Sequence, residues 1–249
     1  MTAASSEHDG SVQREQLIAE LRQQGIRDQA VLRAVSEVPR DEFVSPRHRA
    51  AAWENHPLPI GSGQTISQPF IAAYMVTALG VMPGDRVLDV GTGCGYQAAV
   101  LAACGADVVS VEVRPELAES ADETLRRLGY SVEVVVADGH GGWPDGAPYA
   151  GIAVAAVAAN IPPALLEQLV SPRAHRRGGR LILPLHVSGG FGNQQRLVLV
   201  ERMRHAASGG SRDLAPSTSL RAPDLTTEFR QQKLIDVAFV PLIEAEELT

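Results

Sequence analysis

The stretch Val87–Tyr96, VLDVGTGCGY, decides the fold of this chain. Its first four residues include Val87, Leu88 and Val90, and this apolar run predicts a short buried strand. The turn that follows carries glycine at every second position: Gly91, Gly93 and Gly95. Such a turn has almost no side-chain bulk, so its backbone can approach a ligand closely. A buried strand followed by this turn predicts a nucleotide-type binding site.

A second predicted strand brings a carboxylate to the same place. Residues 107–113, DVVSVEV, form another short β-branched run, and Glu112 lies near its end. Ligands of wound α/β sheets occupy the crevice at the carboxyl ends of the strands, where an acidic residue can accept both hydroxyls of a ribose. The spacing therefore favours a ligand that contains adenosine.

The charge near the turn distinguishes between adenosine ligands. Dinucleotide sites place a pyrophosphate at a helix N-terminus, whereas here Asp89 precedes the turn, and its negative charge suits a cation. S-adenosylmethionine carries an ammonium and a sulfonium but no phosphate, so it fits better than NAD. An Asp-Gly pair also follows a third predicted strand. The predicted cofactor-binding residues are Asp89, Gly91, Thr92, Gly93, Glu112, Asp138 and Gly139.

Length and composition are typical of one globular α/β unit. The chain has 249 residues, a net charge of −7 and 45% hydrophobic residues. This acidic balance argues against a nucleic-acid partner. The basic cluster at 173–180 is an exception, and we interpret it as a solvated loop. We predict a single globular unit over 11–245, with N-terminal helices and an active-site loop over 11–82 and the cofactor-binding domain over 83–249.

The cysteines and histidines indicate whether the chain binds a metal ion, and the hydropathy pattern bears on its cellular location. Cys94 and Cys104 are too few for a disulfide framework, and the histidines show no H-x-x-x-H pair, so no metal site is predicted. We interpret Cys94 as a small residue that fits the turn rather than as a redox-sensitive thiol. No apolar stretch reaches the roughly 18 to 20 residues needed to span a bilayer. We therefore expect a cytoplasmic protein without a membrane partner, and the sequence leaves its oligomeric state open.

The N-terminal part predicts two helices and a long loop. We expect a disordered tail over 1–10, then helices over 13–24 and 28–38, the second capped by Asp28. Residues 53–70, WENHPLPIGSGQTISQPF, show no usable hydrophobic period. A long segment without regular structure is unusual in a compact domain unless it lines a site, so we predict an active-site loop.

The remaining chain alternates between predicted strands and helices. We predict strands at 86–90, 107–113, 132–137, 151–156 and 180–185 and helices at 71–79, 96–104, 115–128 and 162–170. This alternation indicates a mainly parallel sheet. A final pair of strands near 195–203 and 234–242, joined by the polar stretch 206–227, predicts a hairpin-type addition at one edge.

Several blocks of the chain, taken in order, resemble those of one family. They are VPRDEFV (38–44), PLPIGSGQTISQP (57–69), PGDRVLDVGTGCGYQAAVLA (83–102), VEVRPELAE (111–119), ADGHGGWP (137–144), IPPALLEQL (161–169), GGRLILPL (178–185) and FVPL (239–242). The chain resembles the protein-L-isoaspartate O-methyltransferases, which belong to the class I S-adenosylmethionine-dependent methyltransferases. The resemblance implies a Rossmann-like fold: a mainly parallel twisted sheet with helices on both faces, an antiparallel edge strand and a small N-terminal helical appendage.

The resemblance also implies a reaction and the residues that perform it. A methyl group would pass to the α-carboxylate of an L-isoaspartyl residue in a damaged protein or peptide, and the ester would collapse to a succinimide as a step of repair. Ser67 would be the catalytic residue, its hydroxyl donating to that carboxylate. Thr65 and Ile66 would belong to the same loop and contact the cofactor, Asp138 and Gly139 would face the adenine, and Val240 would offer backbone to the substrate.

Three features depart from the family pattern. Ala150 stands where an aspartate is expected, residues 154–159 are altered, and extra residues with the arginine cluster precede Gly178. We expect the altered strand and the basic insertion at 171–177 to lie near the carboxyl edge of the sheet, where they could change which substrate is accepted.

These departures keep two alternatives open. The chain could be a dedicated enzyme that methylates an aspartyl residue in a ribosomally made peptide natural product. It could instead be a binding or regulatory protein that retains the cofactor fold without turnover. Because Ser67 and Glu112 are both present, a repair methyltransferase remains the favoured function.

Overall fold

The fold is known here from a computed structural model that describes residues 3–173, 177–187, 194–204, 228–243 and 245, without the side chains of residues 3–9. The helices are α1 (Ala3–Gln23), α2 (Gln29–Glu37), α3 (Pro69–Leu79), α4 (Tyr96–Ala103), α5 (Pro115–Arg127) and α6 (Pro163–Glu167). The strands are β1 (Leu58–Gly61), β2 (Gln64–Ile66), β3 (Arg86–Val90), β4 (Asp107–Glu112), β5 (Val132–Val136), β6 (Gly151–Val154), β7 (Arg180–His186), β8 (Gln195–Arg202) and β9 (Phe229–Val237). The predicted connection 206–227 lies outside the described residues.

A seven-stranded sheet organises the described residues in the order β5-β4-β3-β6-β7-β8-β9. Neighbouring strands from β5 to β7 are parallel, and β8 and β9 extend that edge as antiparallel strands. The predicted mainly parallel sheet with an antiparallel edge is confirmed. In such a sheet the carboxyl ends of β3, β4 and β6 share one edge, where ligands of wound sheets bind.

Apolar side chains cover both faces of this sheet. Alternate residues of a strand point to opposite faces, and accordingly Val87 and Leu88 belong to two different buried clusters. The cluster on one face includes residues from five helices: Leu21, Val35, Met75, Leu101 and Leu125. The cluster on the other face includes Leu165 and Leu166 of α6. All of β3 except its first residue is buried, as expected for a central parallel strand.

The N-terminal helices follow the prediction with one correction. The Asp28 carboxylate caps α2, because its Oδ1 accepts hydrogen bonds from the backbone N–H groups of Ala30 and Val31 at 2.9 and 3.2 Å. The first helix, however, begins at Ala3, within the stretch predicted to be a disordered tail. This stretch contains no proline that would stop a helix, so α1 extends towards the N-terminus beyond its apolar stripe.

The predicted irregular loop at 53–70 contains a β-hairpin instead. Strands β1 and β2 pair antiparallel, with Leu58 opposite Ile66. The turn between them has three consecutive residues with positive φ, namely Gly61 (103°), Ser62 (47°) and Gly63 (71°). The strands span only four and three residues. They are too short to show a period of two, so hydrophobicity did not indicate them.

The last strand lies earlier than predicted. β9 spans Phe229–Val237 rather than 234–242. Most of its side chains are exposed or partly exposed, so this edge strand carries little hydrophobic signal. The apolar residues that follow leave the sheet and cross its carboxyl edge. We call residues 238–243 the C-terminal strap.

Candidate active site

One cleft at the carboxyl edge of the sheet gathers most of the predicted site residues. It lies between the glycine turn after β3, the end of β4, the β1–β2 hairpin and the C-terminal strap. Its lining includes Thr65, Ile66, Ser67, Gly91, Thr92, Gly93, Glu112, Gly139 and Val240. Asp89 and Asp138 do not line it. The cleft therefore joins a turn suited to a cofactor with the segments expected to meet a substrate.

Two glycines are required by the close packing of the cleft. Gly93 has a φ of 55°, and a Cβ atom there would lie 3.1 Å from Ile60 Cδ1 of the hairpin. A Cβ atom on Gly139 would lie 2.5 Å from Val90 Cγ1, closer than carbon atoms can approach. Side chains at these positions would collide with the walls of the cleft, so glycine keeps the backbone accessible to a ligand.

Glu112 holds the glycine turn and faces the cleft. Its Oε2 accepts a hydrogen bond from the backbone N–H of Gly93 at 2.8 Å, and its Oε1 accepts one from that of Arg114 at 3.1 Å. The residue is 6% exposed. An ionised carboxylate can accept about four hydrogen bonds, so capacity remains for two hydroxyl groups. This arrangement suits the two vicinal hydroxyls of a ribose.

Asp89 lies beneath the turn rather than in the cleft. It is fully buried and accepts hydrogen bonds from Gln97 Nε2 at 2.8 Å and from Ser110 Oγ at 2.7 Å. The hydroxyl of Thr92 lies 2.6 Å from Ser110 Oγ, which extends the chain of hydrogen bonds to the cleft. Burial raises the pKa of Asp89 to about 6, although the two hydrogen bonds oppose this shift. The group is therefore mostly ionised at neutral pH.

The β1–β2 hairpin carries Ser67 to the cleft. Ser67 follows β2 directly, and Pro69 then begins α3, so the serine is held between two fixed elements. The tip of the hairpin is fastened to the first turn of α5, because Ser62 Oγ donates to Glu116 Oε1 at 3.1 Å. The hairpin thus forms a wall of the cleft through Ile60, Gln64, Thr65 and Ile66.

The C-terminal strap forms another wall. The carbonyl of Val240 accepts from the backbone N–H of Val157 at 2.8 Å, and the N–H of Leu242 donates to the Val157 carbonyl at 2.9 Å. Strap residues Val240, Pro241, Leu242 and Ile243 line the cleft. The Val240 carbonyl already accepts a hydrogen bond from Val157, whereas no described hydrogen bond uses the Val240 N–H, so this N–H is a backbone group that the strap can offer to a ligand.

Asp138 binds the backbone just beyond the strap instead of lining the cleft. Its Oδ1 accepts from the backbone N–H of His140 at 2.8 Å, and its Oδ2 accepts from that of Ala245 at 3.3 Å. Burial acts to raise the pKa of Asp138, but these hydrogen bonds outweigh it and hold the pKa below its ordinary value. Of the Asp138–Gly139 pair, only the glycine lies in the cleft wall.

Several cleft residues carried too weak a sequence signal to be selected. Gln97 lies in the first turn of α4, and Ala155 and Ala156 follow β6; all three line the cleft. Ile60, Cys94 and Tyr96 do so as well. Their positions next to the glycine turn, to β6 and to the GSGQTIS block are the signal that could have found them. Burial raises the pKa of the Cys94 thiol to about 11, which keeps it protonated and unreactive at neutral pH.

Two of the three departures lie at the opposite edge of the sheet, contrary to expectation. Ala150 precedes β6, and its N–H donates to the Arg86 carbonyl at 2.8 Å, at the amino ends of the strands. Arg177, in the basic insertion, donates to the backbone carbonyls of Leu79 and Gly80 at the end of α3. Segments that lead into parallel strands enter at the amino edge, and accordingly neither Ala150 nor the described residues of the insertion line the cleft. Only Ala155 and Ala156 of the altered segment do so.

The part of the chain that the structure describes contains no group of three or more potential metal ligands among His, Cys, Asp and Glu. Within the same residues, no helix has the length and apolar character needed to cross a membrane.

Comparisons with known proteins agree with this geometry. The sequence profile described as Protein-L-isoaspartate(D-aspartate) O-methyltransferase (PCMT) matches residues 12–213. A protein-L-isoaspartate O-methyltransferase of Gloeobacter violaceus is 49% identical over 184 residues, which are 74% of this chain and 85% of the relative. One of Salinibacter ruber is 42% identical over 237 residues, covering 94% and 93% of the two chains.

A solved protein-L-isoaspartate O-methyltransferase structure superposes with a TM-score of 0.74 at 26% identity, covering 93% of this chain and 66% of that chain. The profile match extends over most of the sequence, including the glycine turn, the GQTISQP block and all parallel strands. The chain therefore belongs to the protein-L-isoaspartate(D-aspartate) O-methyltransferase family.

Proposed function

We propose that this enzyme methylates the free α-carboxylate of L-isoaspartyl residues in proteins or peptides, using S-adenosylmethionine. The resulting ester can collapse to a succinimide, which hydrolyses partly to normal aspartate. The observation that carries the proposal is the single cleft in which Glu112 and the glycine turn face Ser67 and the C-terminal strap. Family membership supplies the chemistry, and the cleft supplies a place for both reactants.

The cleft residues fit S-adenosylmethionine. Glu112 can accept both ribose hydroxyls, Gly91 and Gly93 leave room for the ligand, and Gly139 forms the wall beside them. The buried, ionised Asp89 places negative charge beneath the turn, which favours a cationic ligand and disfavours a phosphate. Thr65 and Ile66 cover the same cleft from the hairpin. When bound, this cofactor supplies an electrophilic methyl group on a sulfonium.

The remaining work of the protein is to position the acceptor carboxylate. An α-carboxylate is ionised near neutral pH, so the reaction requires no general base. Ser67 would donate its hydroxyl to that carboxylate, and the N–H of Val240 would donate to the substrate backbone. The hairpin and the strap would exclude water from the reacting atoms. Orientation and desolvation, rather than proton transfer, would therefore provide the rate acceleration.

The alternative of a dedicated peptide-modifying enzyme now depends on fewer features. Ala150 and Arg177 of the basic insertion lie at the amino edge, and neither they nor residues 171–173 are among the residues that line the cleft. Ala155 and Ala156 remain as altered residues that line the cleft, and their small side chains could admit an acceptor of different shape. A preference for one peptide sequence over all short isoaspartyl peptides would support this alternative.

We also propose that the enzyme acts in the cytoplasm. The chain has two cysteines, and both are free thiols in the structure. Free thiols suit a reducing compartment.

The test is transfer of labelled methyl from S-adenosylmethionine to a short isoaspartyl peptide and to its normal aspartyl twin. We expect methylation of the isoaspartyl peptide alone. Ser67→Ala should lower kcat/KM by about 10- to 100-fold, since it removes a hydrogen bond to a charged group. Its affinity for S-adenosylhomocysteine should stay within about twofold of the parent value. Methylation of neither peptide by the parent enzyme would refute the proposal, and an unchanged rate in the variant would refute the role of Ser67.

A further inference from the structure

The C-terminal strap is held at its start by one side chain of β8. The amide group of Gln195 makes two hydrogen bonds with the backbone of Phe239. Its Nε2 donates to the Phe239 carbonyl at 3.1 Å, and its Oε1 accepts from the Phe239 N–H at 2.6 Å. A single primary amide thus binds both backbone groups of one residue, as a neighbouring strand would do.

The contact between Gln195 and Phe239 lies just beyond the end of β9, and this position indicates its role. In the sheet, Gln195 is paired with Val237, which is the last residue of β9. Phe239 lies beyond the end of that strand, where backbone pairing with β8 has ceased. The Gln195 side chain continues the pairing for one more residue and fixes the direction in which the chain leaves the sheet.

The residue directly after this contact is Val240. Its carbonyl is already bound by the Val157 N–H, so Val240 lies between two fixed points, one on β8 and one after β6. The far part of the strap has separate supports, in the Leu242–Val157 hydrogen bond and the Asp138–Ala245 hydrogen bond. Loss of the Gln195 contact would therefore free the backbone of Phe239 and with it the orientation of the Val240 N–H, while the Val240 carbonyl and the Leu242 N–H stay bound to Val157.

We propose that Gln195 is a positioning residue for the peptide substrate: its amide orients Phe239 and thereby aims the Val240 N–H into the cleft. This inference depends on the proposed function, because it assumes that an isoaspartyl peptide meets the strap. Gln195 acts through Val240 and need not touch the substrate. No feature of the local sequence QQRLVLV distinguishes it, since its partner lies 44 positions away.

The experiment compares Gln195→Leu, Gln195→Glu and the control Gln194→Leu. Leucine removes both hydrogen bonds, whereas glutamate retains the acceptor for the Phe239 N–H and loses the donor to the carbonyl. Gln194 is exposed, and among the described residues its hydrogen bond is the one that its backbone carbonyl accepts from the Val187 N–H. The measurements are KM and kcat for an isoaspartyl peptide, the Kd for S-adenosylhomocysteine and the melting temperature.

We expect KM for the peptide to rise about tenfold in Gln195→Leu, which corresponds to the loss of two neutral hydrogen bonds. Gln195→Glu should fall between this variant and the parent, and Gln194→Leu should match the parent. The Kd for S-adenosylhomocysteine should remain within about twofold of the parent value in all three variants.

Three different results would overturn the inference. If the parent enzyme methylates the peptide and Gln195→Leu retains its KM while melting at a lower temperature, Gln195 is only structural and the proposed function stands. If the parent enzyme methylates no isoaspartyl peptide, the proposed function fails and this inference fails with it. Equal increases in peptide KM and in S-adenosylhomocysteine Kd would also count against it, because they would indicate general loosening of the cleft.

Discussion

The hydrogen bonds around Asp89 connect the core to the cleft through a few polar side chains. Thr92 and Gln97 line the cleft, and both are linked to the buried carboxylate, Gln97 directly and Thr92 through Ser110. The sequence predicted that Asp89 would favour a cationic ligand. It could not predict that the carboxylate is hidden, because Ser110 comes from the neighbouring strand and only the sheet register brings it beside Asp89.

The buried carboxylate makes stability depend on pH. The pKa of Asp89 is about 6 in the folded protein, above the ordinary value of 3.8. The folded state therefore binds the proton more tightly than the unfolded state, and stability due to this group falls as pH rises from about 4 to about 7. We expect the free energy of unfolding of the ligand-free parent to fall by about 3 kcal/mol relative to Asp89→Asn over this range.

Urea unfolding of both proteins at several pH values measures this difference. If the free energy of unfolding differs between parent and variant by the same amount at every pH, lost hydrogen bonds alone explain the difference. Such a result would contradict the elevated pKa of Asp89.

Among the elements, the β1–β2 hairpin is the one whose attachment can be tested without touching the cleft lining. Its tip is tied to α5 only through exposed atoms, by the hydrogen bond from Ser62 to Glu116 among the described contacts. Exposed interactions of this type contribute little, typically below about 1 kcal/mol. The contact nevertheless holds the wall that carries Ile60 and Thr65.

Removing this contact should speed release of the bound nucleoside. We expect Glu116→Ala to raise the dissociation rate of S-adenosylhomocysteine about twofold, since a weak surface contact is lost. Glu119→Ala removes an equal charge from an exposed position of the same helix and should leave the rate unchanged. Stopped-flow displacement measures the rates, and identical values in the two variants would show that the hairpin is held by other contacts.

Helices and strands were predictable from the sequence where burial gave their apolar residues a regular spacing. β3 has the predicted bounds 86–90, and α4, β4 and α5 each end one residue before their predicted ends. The hairpin and β9 were not predictable in this way. β1 and β2 are short and lie over the cleft, and β9 is an exposed edge strand, so burial imposes no pattern on them. The apolar run at 238–242 misled the prediction because its side chains line a cleft rather than a sheet face.

At the scale of the whole molecule, the carboxyl and amino edges of the seven-stranded sheet carry different features. The carboxyl edge holds the cleft, whereas the amino edge holds Ala150 and Arg177 of the basic insertion. The glycine turn, Glu112, Ser67 and Val240, which the sequence predicts to be site residues, lie together in this cleft, and their roles there stay predictions. The sequence placed the basic insertion at the carboxyl edge, whereas Arg177 of that insertion lies at the amino edge, because the side of the sheet on which a loop lies follows from the path of the chain and not from its composition.

This separation predicts that the insertion affects stability and not substrate binding. Arg177 donates to two carbonyls at the C-terminus of α3, where a cation is favourable. We expect Arg177→Ala to lower the free energy of unfolding by about 1 kcal/mol, a melting-temperature loss of about 2 to 4 °C. The KM for an isoaspartyl peptide should stay within about twofold of the parent value.

Thermal unfolding and steady-state kinetics test both parts of this prediction. Arg173→Ala, at another exposed arginine of the same segment, serves as the control for loss of charge. A raised KM in Arg177→Ala with an unchanged melting temperature would contradict this prediction, because it would show that the insertion affects substrate binding and not stability.

The wall formed by residues 238–243 is synthesised late, and this has a consequence for incomplete chains. The glycine turn, Glu112 and Ser67 emerge from the ribosome long before the strap, which pairs back onto Val157. A nascent chain can thus expose the nucleoside-binding residues well before it adds the wall that meets the acceptor. A product of premature termination before residue 238 would lack that wall, so truncated copies would be unable to orient an acceptor peptide and would not methylate proteins at random.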